Sequence, residues 1–358
     1  MRYDVNVAGA GPAGSTAARG CAARGLRVLL LDRAAFPRDK PCGGGVNVRA
    51  ARLLPFDLRP VVERVAFGVR FSLRGTGPFT RYSSEPLVYM TQRSRLDEFL
   101  VEKAAAAGAE VRQRTPVHSV ARRATRVVVR AGTDRVEAYA LVVADGVWGP
   151  TARLAGLAVP RQMGLALEAT IAAPGRFYRH WDDVVGLDIG SPPGGYGWIF
   201  PRGDHLNIGV GGWLEDAPNL RARLARLARV YGFDPSALRG MRGYHLPVRR
   251  PGAPLVADTI LLTGDAAGLL DPLTGEGIYG AIWSGGAAAR HLAAYFAASR
   301  ADLQGYAQEV EGAFAHDLRV ARRLHDLVHC APGLFVRSVR HVPAAWRLIC
   351  RVLRGDQS

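Results

Sequence analysis

Tyr3-Asp4-Val5-Asn6-Val7-Ala8-Gly9-Ala10-Gly11-Pro12-Ala13-Gly14 is the stretch that decides the fold. Residues 3–8 read as a short buried strand, Ser15–Arg24 as a small-residue helix that Gly25 ends, and Arg27-Val28-Leu29-Leu30-Leu31 as a second strand closed by Asp32. The glycines between strand and helix each have a physical duty. Gly9 allows the tight turn, Gly11 lets a pyrophosphate approach the backbone, and Gly14 lets the helix pack close to the sheet. The helix N-terminus offers free N–H groups and a positive dipole end to phosphates. Asp32, followed by Arg33, stands where a carboxylate accepts from a ribose hydroxyl. Strand, glycine turn, helix, strand and acid in this order predict a Rossmann-type α/β domain that binds a dinucleotide.

A second glycine-and-acid turn lies far along the chain. Thr259-Ile260-Leu261-Leu262-Thr263-Gly264-Asp265 reads as a buried strand ending at Gly-Asp, and a proline- and glycine-rich loop leads to a small-residue helix opening near Gly277-Ile278. A nicotinamide dehydrogenase has no use for this element, but a flavin does. Asp265 suits the hydroxyls of a ribityl chain. The helix end at Gly277 and Ile278 suits the N1–C2=O edge, where reduced flavin carries negative charge. The expected cofactor is FAD, held non-covalently between the two turns. A third segment, Leu141-Val142-Val143-Ala144-Asp145-Gly146, reads as a buried strand; Asp145 either faces the cofactor or caps the next turn.

These three pieces, in this order, resemble the p-hydroxybenzoate-hydroxylase-like class of FAD proteins. Further stretches resemble the geranylgeranyl reductase family within it. Lys40-Pro41-Cys42-Gly43-Gly44 is similar to that family's K-x-C-G-G segment. Tyr196-Gly197-Trp198-Ile199-Phe200-Pro201, followed by Asn207-Ile208-Gly209-Val210-Gly211, is similar to its Y-x-W-x-F-P and G-x-G signature. Arg93-Ser94-Arg95-Leu96-Asp97 resembles its R-x-x-F-D segment, with leucine for the usual phenylalanine. The resemblance runs over residues 1–300 and implies FAD contacts at Ala13, Asp32, Gly43, Gly44, Arg93, Val117, Asp265, Gly277 and Ile278. The expected architecture is a discontinuous FAD-binding domain (1–75, 90–160 and 255–300), an inserted antiparallel-sheet substrate domain (76–89 and 161–254) and C-terminal helices (301–358). Two departures stand out. Val147–Arg153 lacks the serine that usually precedes the family's V-R, and the chain is shorter near its C-terminus than most family reductases, where part of a lipid tunnel is often completed.

The activity this implies is reduction of carbon–carbon double bonds in an isoprenoid, lipid or quinone-like substrate. That chemistry needs hydride from flavin N5 on one carbon, a proton on the other, and a pocket that excludes water. Tyr196 and Trp198, two apart on a strand, share a face and either line that pocket or pack as sheet core. Cys42 either lies beside the flavin as proton donor or gate, or is buried and inert. These three are the candidate catalytic residues. No second GxGxxG is present for a nicotinamide, so the expected electron donor is transiently docked NAD(P)H, a ferredoxin protein or free reduced flavin. The alternative is a flavin monooxygenase, hydroxylase or halogenase of the same fold class, acting on a natural product or a peptidyl aromatic residue. Against the tryptophan-halogenase type, Tyr196 and Phe200 stand where W-x-W-x-I-P places Trp and Ile. A third reading is a flavin-bound scaffold or redox sensor.

Composition narrows the partners. Lys+Arg exceed Asp+Glu by 47 − 31 = 16 among 358 residues, and Lys40 and Lys103 are the only lysines. The arginines are scattered, without a basic helix or aromatic-interleaved motif aimed at bases, so nucleic acid is not an expected partner. Cys21, Cys42, Cys330 and Cys350 show no CxxC spacing, which fits a reducing cytoplasm. Met1–Asp4 runs straight into a strand rather than a secretory leader. His325 and His329 stand four apart, but no third ligand accompanies them and no metal is expected. The tail 331–354 mixes arginines with Phe335, Trp346, Leu348, Ile349 and Leu353. It docks on the protein's own body or rests on an anionic membrane at its inner face.

Overall fold

The computed structural model describes residues 2–123, 125–157, 159–172, 175, 178–215, 219–298 and 302–356. Strands β1 (Arg2–Ala8) and β2 (Val28–Leu31) pair in parallel, with helix α1 (Pro12–Ala22) as their crossover. The helix begins before the expected Ser15. Pro12 brings a preset φ and no N–H to an end where that N–H has no partner, and Gly11 takes the extended cap conformation. The chain continues through β3 (Gly45–Asn47), α2 (Val48–Arg52), β4 (Arg64–Ala66), β5 (Gly68–Leu73), β6 (Thr76–Tyr82), β7 (Val88–Met90) and α3 (Arg93–Ala106). Next come β8 (Glu110–Arg112), which joins β2 in parallel, and the meander β9 (Val117–Arg123), β10 (Arg126–Ala131) and β11 (Asp134–Val143).

After the short helix α4 (Thr151–Leu154) come β12 (Arg161–Ala172), β13 (Val184–Ile189), β14 (Gly195–Arg202), β15 (His205–Trp213), α5 (Leu220–Val230) and β16 (Arg239–Arg249). The chain then returns through β17 (Val256–Ala257), β18 (Ile260–Leu262), α6 (Gly264–Ala267) and α7 (Ile278–Ala297). It finishes in α8 (Gln304–Cys330), α9 (Pro332–His341) and α10 (Pro343–Arg354).

Among the described residues the first sheet has the path β17-β18-β11-β1-β2-β8, with β10 and β9 paired outside it on β11. Apart from the buried Asn6, its central strands are apolar on both faces. Val5, Val7, Leu29, Leu30, Leu141, Val142 and Ile260–Leu262 are completely buried, as a parallel sheet covered on both sides requires. The second sheet, β16-β12-β15-β14-β13-β5-β6, is antiparallel except where β5 runs parallel to β13. A small sheet β3-β7-β4 lies between these parts of the chain in sequence. The strand Gly68–Leu73, expected in the FAD-binding segment 1–75, is instead built into the second sheet. Its backbone partners, Val184–Ile189, are remote in sequence, so no local pattern announces the pairing. The boundary expected at 300/301 lies outside the described residues.

The C-terminal helices dock on the protein's own body. Val336, Val339 and Trp346 are buried with Phe71, Met90 and Ile189, and Trp346 Nε1 donates to the Tyr82 carbonyl at 3.0 Å. Leu327, Leu334 and Leu348 remain 67%, 68% and 48% exposed. Among the described residues no helix is long and apolar enough to cross a membrane.

Candidate active site

The first turn is fixed from both sides. Gly9 has φ +98, a region open to glycine, and its N–H donates to the Leu31 carbonyl at 2.7 Å. A methyl group on Gly14 would sit 1.8 Å from the Gly9 carbonyl oxygen, so Gly14 sets the approach of α1 to the turn. Gly11 is different. A methyl group there would meet no protein atom closer than Arg38 Nη2 at 3.4 Å, and the position opens on a cavity of about 1040 Å³. The chain does not need glycine at 11 for its own packing; a group seated in the cavity against the backbone does. Asp32 is buried at the cavity wall. Its Oδ2 accepts from the Ala10 N–H at 2.7 Å and its Oδ1 from the Ala34 N–H at 2.8 Å, so one carboxylate ties the glycine turn to the bend that follows β2. Arg33, exposed, stands at the rim.

Beside Gly11 lies a cationic pair that the motifs only half reveal. Arg93 is buried and makes a bidentate bond to Asp97, Nε to Oδ1 at 2.9 Å and Nη2 to Oδ2 at 2.8 Å. Arg38 Nη2 reaches the same Asp97 at 2.9 Å. Burial works against the Arg93 charge, but Asp97, Cys42 and Asp265 together more than offset it, and the Arg93 pKa is raised. Two guanidiniums on one carboxylate leave a net positive charge at the N-terminus of α1, which suits a pyrophosphate. Arg38 carries no motif of its own; its signal is its position between Asp32 and the Lys40–Gly44 segment.

The second turn packs directly against the first, with Gly264 facing Ala13 so closely that a methyl group there would lie 3.0 Å from the Ala13 Cβ. Asp265 Oδ2 receives the Lys40 ammonium at 3.1 Å and the Tyr244 hydroxyl at 3.2 Å. Burial pushes this carboxyl up, yet Lys40, Arg93 and Tyr244 together hold it below the ordinary value. Gly277 and Ile278 form the start of the 20-residue α7. That helix packs tightly on α1: a methyl group on Gly285 would lie 2.3 Å from the Ala13 carbonyl oxygen. The starts of both helices therefore stand in the same cavity wall, Pro12 and Ala13 for α1 and Ile278 for α7.

Asp145 caps the next turn and also lines the cavity. Its Oδ2 accepts from the Thr151 N–H at 2.9 Å, capping α4, while its Oδ1 is buried without a hydrogen-bond partner. Burial raises its pKa. An orphaned carboxylate oxygen beside Gly149, in a wall that also holds Asp32, Arg38 and Arg93, suits a hydrogen-bond donor of a dinucleotide. Val117, half-buried at the start of β9, also lines this end.

At the other end the cavity becomes aromatic and then aliphatic. Cys42 is half-buried and its Sγ accepts from the Gly44 N–H at 3.4 Å, while Arg202 donates to the Cys42 carbonyl. Gly43 packs against Phe200 and Trp198, where a methyl group would meet the Phe200 ring at 2.9 Å. Gly44, with φ +77, follows. Tyr196 and Trp198 share a face, with ring centres 6.1 Å apart. The Trp198 indole N–H is taken by Asn207 Oδ1 at 2.7 Å, and the Tyr196 hydroxyl donates to the Thr274 carbonyl; burial pushes its pKa up. From there the lining passes through Phe71 and Leu187 to Leu324, Val328, Phe335, Ile349 and Leu353 of the C-terminal helices. The cavity thus brings together every candidate except Gly14, which acts behind the wall. The rings of His325 and His329 lie 4.2 Å apart, tilted at 53°, and no cluster of three or more metal-ligating side chains occurs among the described residues.

A model of the FAD-binding domain family matches residues 2–318. The geranylgeranyl diphosphate reductase of Rhodobacter capsulatus is 33% identical over 317 residues, covering 85% of this chain and 78% of that protein. The menaquinone reductase of Mycolicibacterium smegmatis is 33% identical over 306 residues, covering 77% and 73%. A geranylgeranyl bacteriochlorophyll reductase-like protein from Thermoplasma acidophilum superposes with a TM-score of 0.85 at 25% identity over the whole of both chains. With the two-turn cavity and the p-hydroxybenzoate-hydroxylase-like arrangement of sheets, these matches carry the conclusion that the chain belongs to the geranylgeranyl reductase family of FAD-dependent oxidoreductases.

Proposed function

We propose that the protein saturates carbon–carbon double bonds in an isoprenoid chain carried by a lipid or a quinone. The observation that carries this reading is the cavity's change of character, charged and polar between Gly11 and Asp265, apolar from Phe71 to Leu353. In this reading the adenosine and pyrophosphate of FAD rest on Asp32, Arg38, Arg93, Asp145 and the start of α1. Its ribityl and pyrimidine parts rest on Asp265, Gly277 and Ile278. The cofactor, once bound and reduced, supplies hydride. The chain's own work is to orient and to dry. Tyr196 and Trp198, their ring planes inclined at 58°, offer an aromatic wall to an alkene, the Cys42–Gly44 loop closes over that wall, and the aliphatic arm straightens the chain and keeps water out. The division of labour follows: residues around the first sheet hold the cofactor, and the second sheet with the C-terminal helices holds the substrate.

The same helices support a source for that substrate. Exposed Leu327, Leu334 and Leu348 themselves line the apolar arm, on helices that also carry exposed Arg337, Arg340, Arg347 and Arg351. Apolar anchors ringed by cations suit the surface of an anionic bilayer. Replacing the three leucines by serine should abolish co-sedimentation with anionic liposomes; unchanged partitioning ends the membrane reading.

The activity is tested with purified, anaerobically reduced protein and geranylgeranyl diphosphate or menaquinone. A product heavier by H2 for each saturated bond, without oxygen, is expected. Incorporation of isotopically labelled dioxygen into an aromatic substrate, with no hydrogenated product, would instead establish the monooxygenase alternative.

A further inference from the structure

Saturating a double bond consumes one proton for each hydride, and a cavity that excludes water must receive protons through its wall. Glu276 occupies such a position. It precedes α7, between Gly275 and Gly277, and lines the main cavity together with Tyr196 and Asp265. It also lines a second, smaller cavity of about 40 Å³ with Arg49, Asp271, Tyr279 and Asp317. That space admits a water or two, and its lining gives them polar partners. Asn47, Thr274 and Val352 border both cavities as well, but none of them titrates. Among the described residues Glu276 is the ionisable side chain shared by the two.

Its surroundings favour a proton on it. Oε1 accepts from the Tyr279 N–H at 2.7 Å. The charges that act on it are Asp271 from its own loop and Asp265 from α6, both acidic. The cations nearby are committed elsewhere. Arg49 of α2 serves Asp317 of α8 at 3.7 Å, the Tyr279 ring at 4.4 Å and the Gly355 carbonyl at 3.1 Å. Lys40 pairs with Asp265, and Arg93 of α3 with Asp97. Burial pushes the carboxyl up, the Tyr279 N–H draws it back and Asp271 raises it further, to about 8.

We propose that Glu276 is the proton conduit between the two cavities, giving a proton to the main cavity and regaining one from water held beside Asp271 and Asp317. The proton crosses without electrons. The π pair of the double bond forms the new C–H bond to it at one carbon, while hydride brings its own pair to the other. The inference rests on the reductase reading and deepens it.

Infrared spectra of the FAD-loaded protein across a pH titration report carboxyl protonation without substrate. A protonated-carboxyl band that disappears near pH 8 in the wild type and is missing in Glu276→Gln is expected; its absence from the wild type overturns the proposal. In single turnovers of prereduced enzyme with geranylgeranyl diphosphate, the rate should fall as pH rises through about 8. Glu276→Gln should be slower by about a hundredfold and lose that pH dependence while still binding FAD, and Glu276→Asp should restore a titrating profile. A Gln variant with the wild-type profile also overturns it. If no variant and no wild type reduces a double bond, the reductase reading fails on its own, and the infrared titration still decides whether Glu276 exchanges a proton.

Discussion

At the scale of single residues, the two glycines of the first helix turn separate folding from binding. Gly14 faces the Gly9 carbonyl, and a methyl group 1.8 Å from that oxygen forces α1 away from the sheet. Gly14→Ala should therefore cost about 1–3 kcal/mol or more in denaturant melts, the range of overpacked cores. Gly11 is extended, with φ −76, and faces open space, so Gly11→Ala should melt within about 1 kcal/mol of the wild type yet bind FAD weakly. Equal losses of stability in the two variants would contradict this assignment. A second residue-scale expectation concerns Glu276 in the FAD-free protein. Its folded pKa is raised by burial from the ordinary 4.5 to about 8, so the folded state binds the extra proton between those values. Stability from this group is complete below about 4.5 and drains away as pH rises towards about 8. Melting temperatures of Glu276→Gln relative to the wild type should then climb across that window; a constant difference would show that the carboxyl is already ionised in the folded protein.

At the scale of elements, the C-terminal helices act as a wall of the apolar arm rather than a free tail. Trp346 of α10 is buried, meets the Phe71 ring edge-on at 6.3 Å and is tied to Tyr82. Trp346→Ala should cost about 3–5 kcal/mol, and a loss below about 1 kcal/mol would mean that α10 contributes little to that wall. The elements also show what sequence can and cannot reveal. β1, α1 and β2 were legible because an apolar run, a glycine turn and a second apolar run are contiguous, and each local preference agrees with the global fold. The distal turn at Asp265 was legible for the same reason. The place of β5 was not, because its parallel partner β13 lies more than a hundred residues on and both read simply as apolar strands. The site divides likewise. Gly11, Asp32 and Asp265 sit in spaced motifs, whereas Arg38 and Glu276 gain their roles from Asp97 and from a second cavity, neither of which leaves a pattern in neighbouring residues.

At the scale of the whole molecule, the formal charge of +16 acquires a direction. Scattered arginines make no local site, but their excess gives the molecule a positive field, and within the cavity Arg38 and Arg93 share the single carboxylate of Asp97. A positive field of this kind raises the encounter rate of an anion, and salt removes the effect as the screening length shrinks from about 10 Å at 0.1 M to about 3 Å at 1 M. FAD carries its negative charge in the pyrophosphate, while riboflavin has the same ring system without it. Stopped-flow quenching of flavin fluorescence should therefore show FAD association with the FAD-free protein slowing severalfold from about 0.1 to about 1 M salt, with riboflavin nearly indifferent. Arg38→Ala should lower FAD affinity and blunt its salt dependence without touching riboflavin, because the lost charge faces the pyrophosphate and not the ring. Equal salt responses for the two ligands would place the steering outside this cavity and reduce the arginine excess to a matter of solubility.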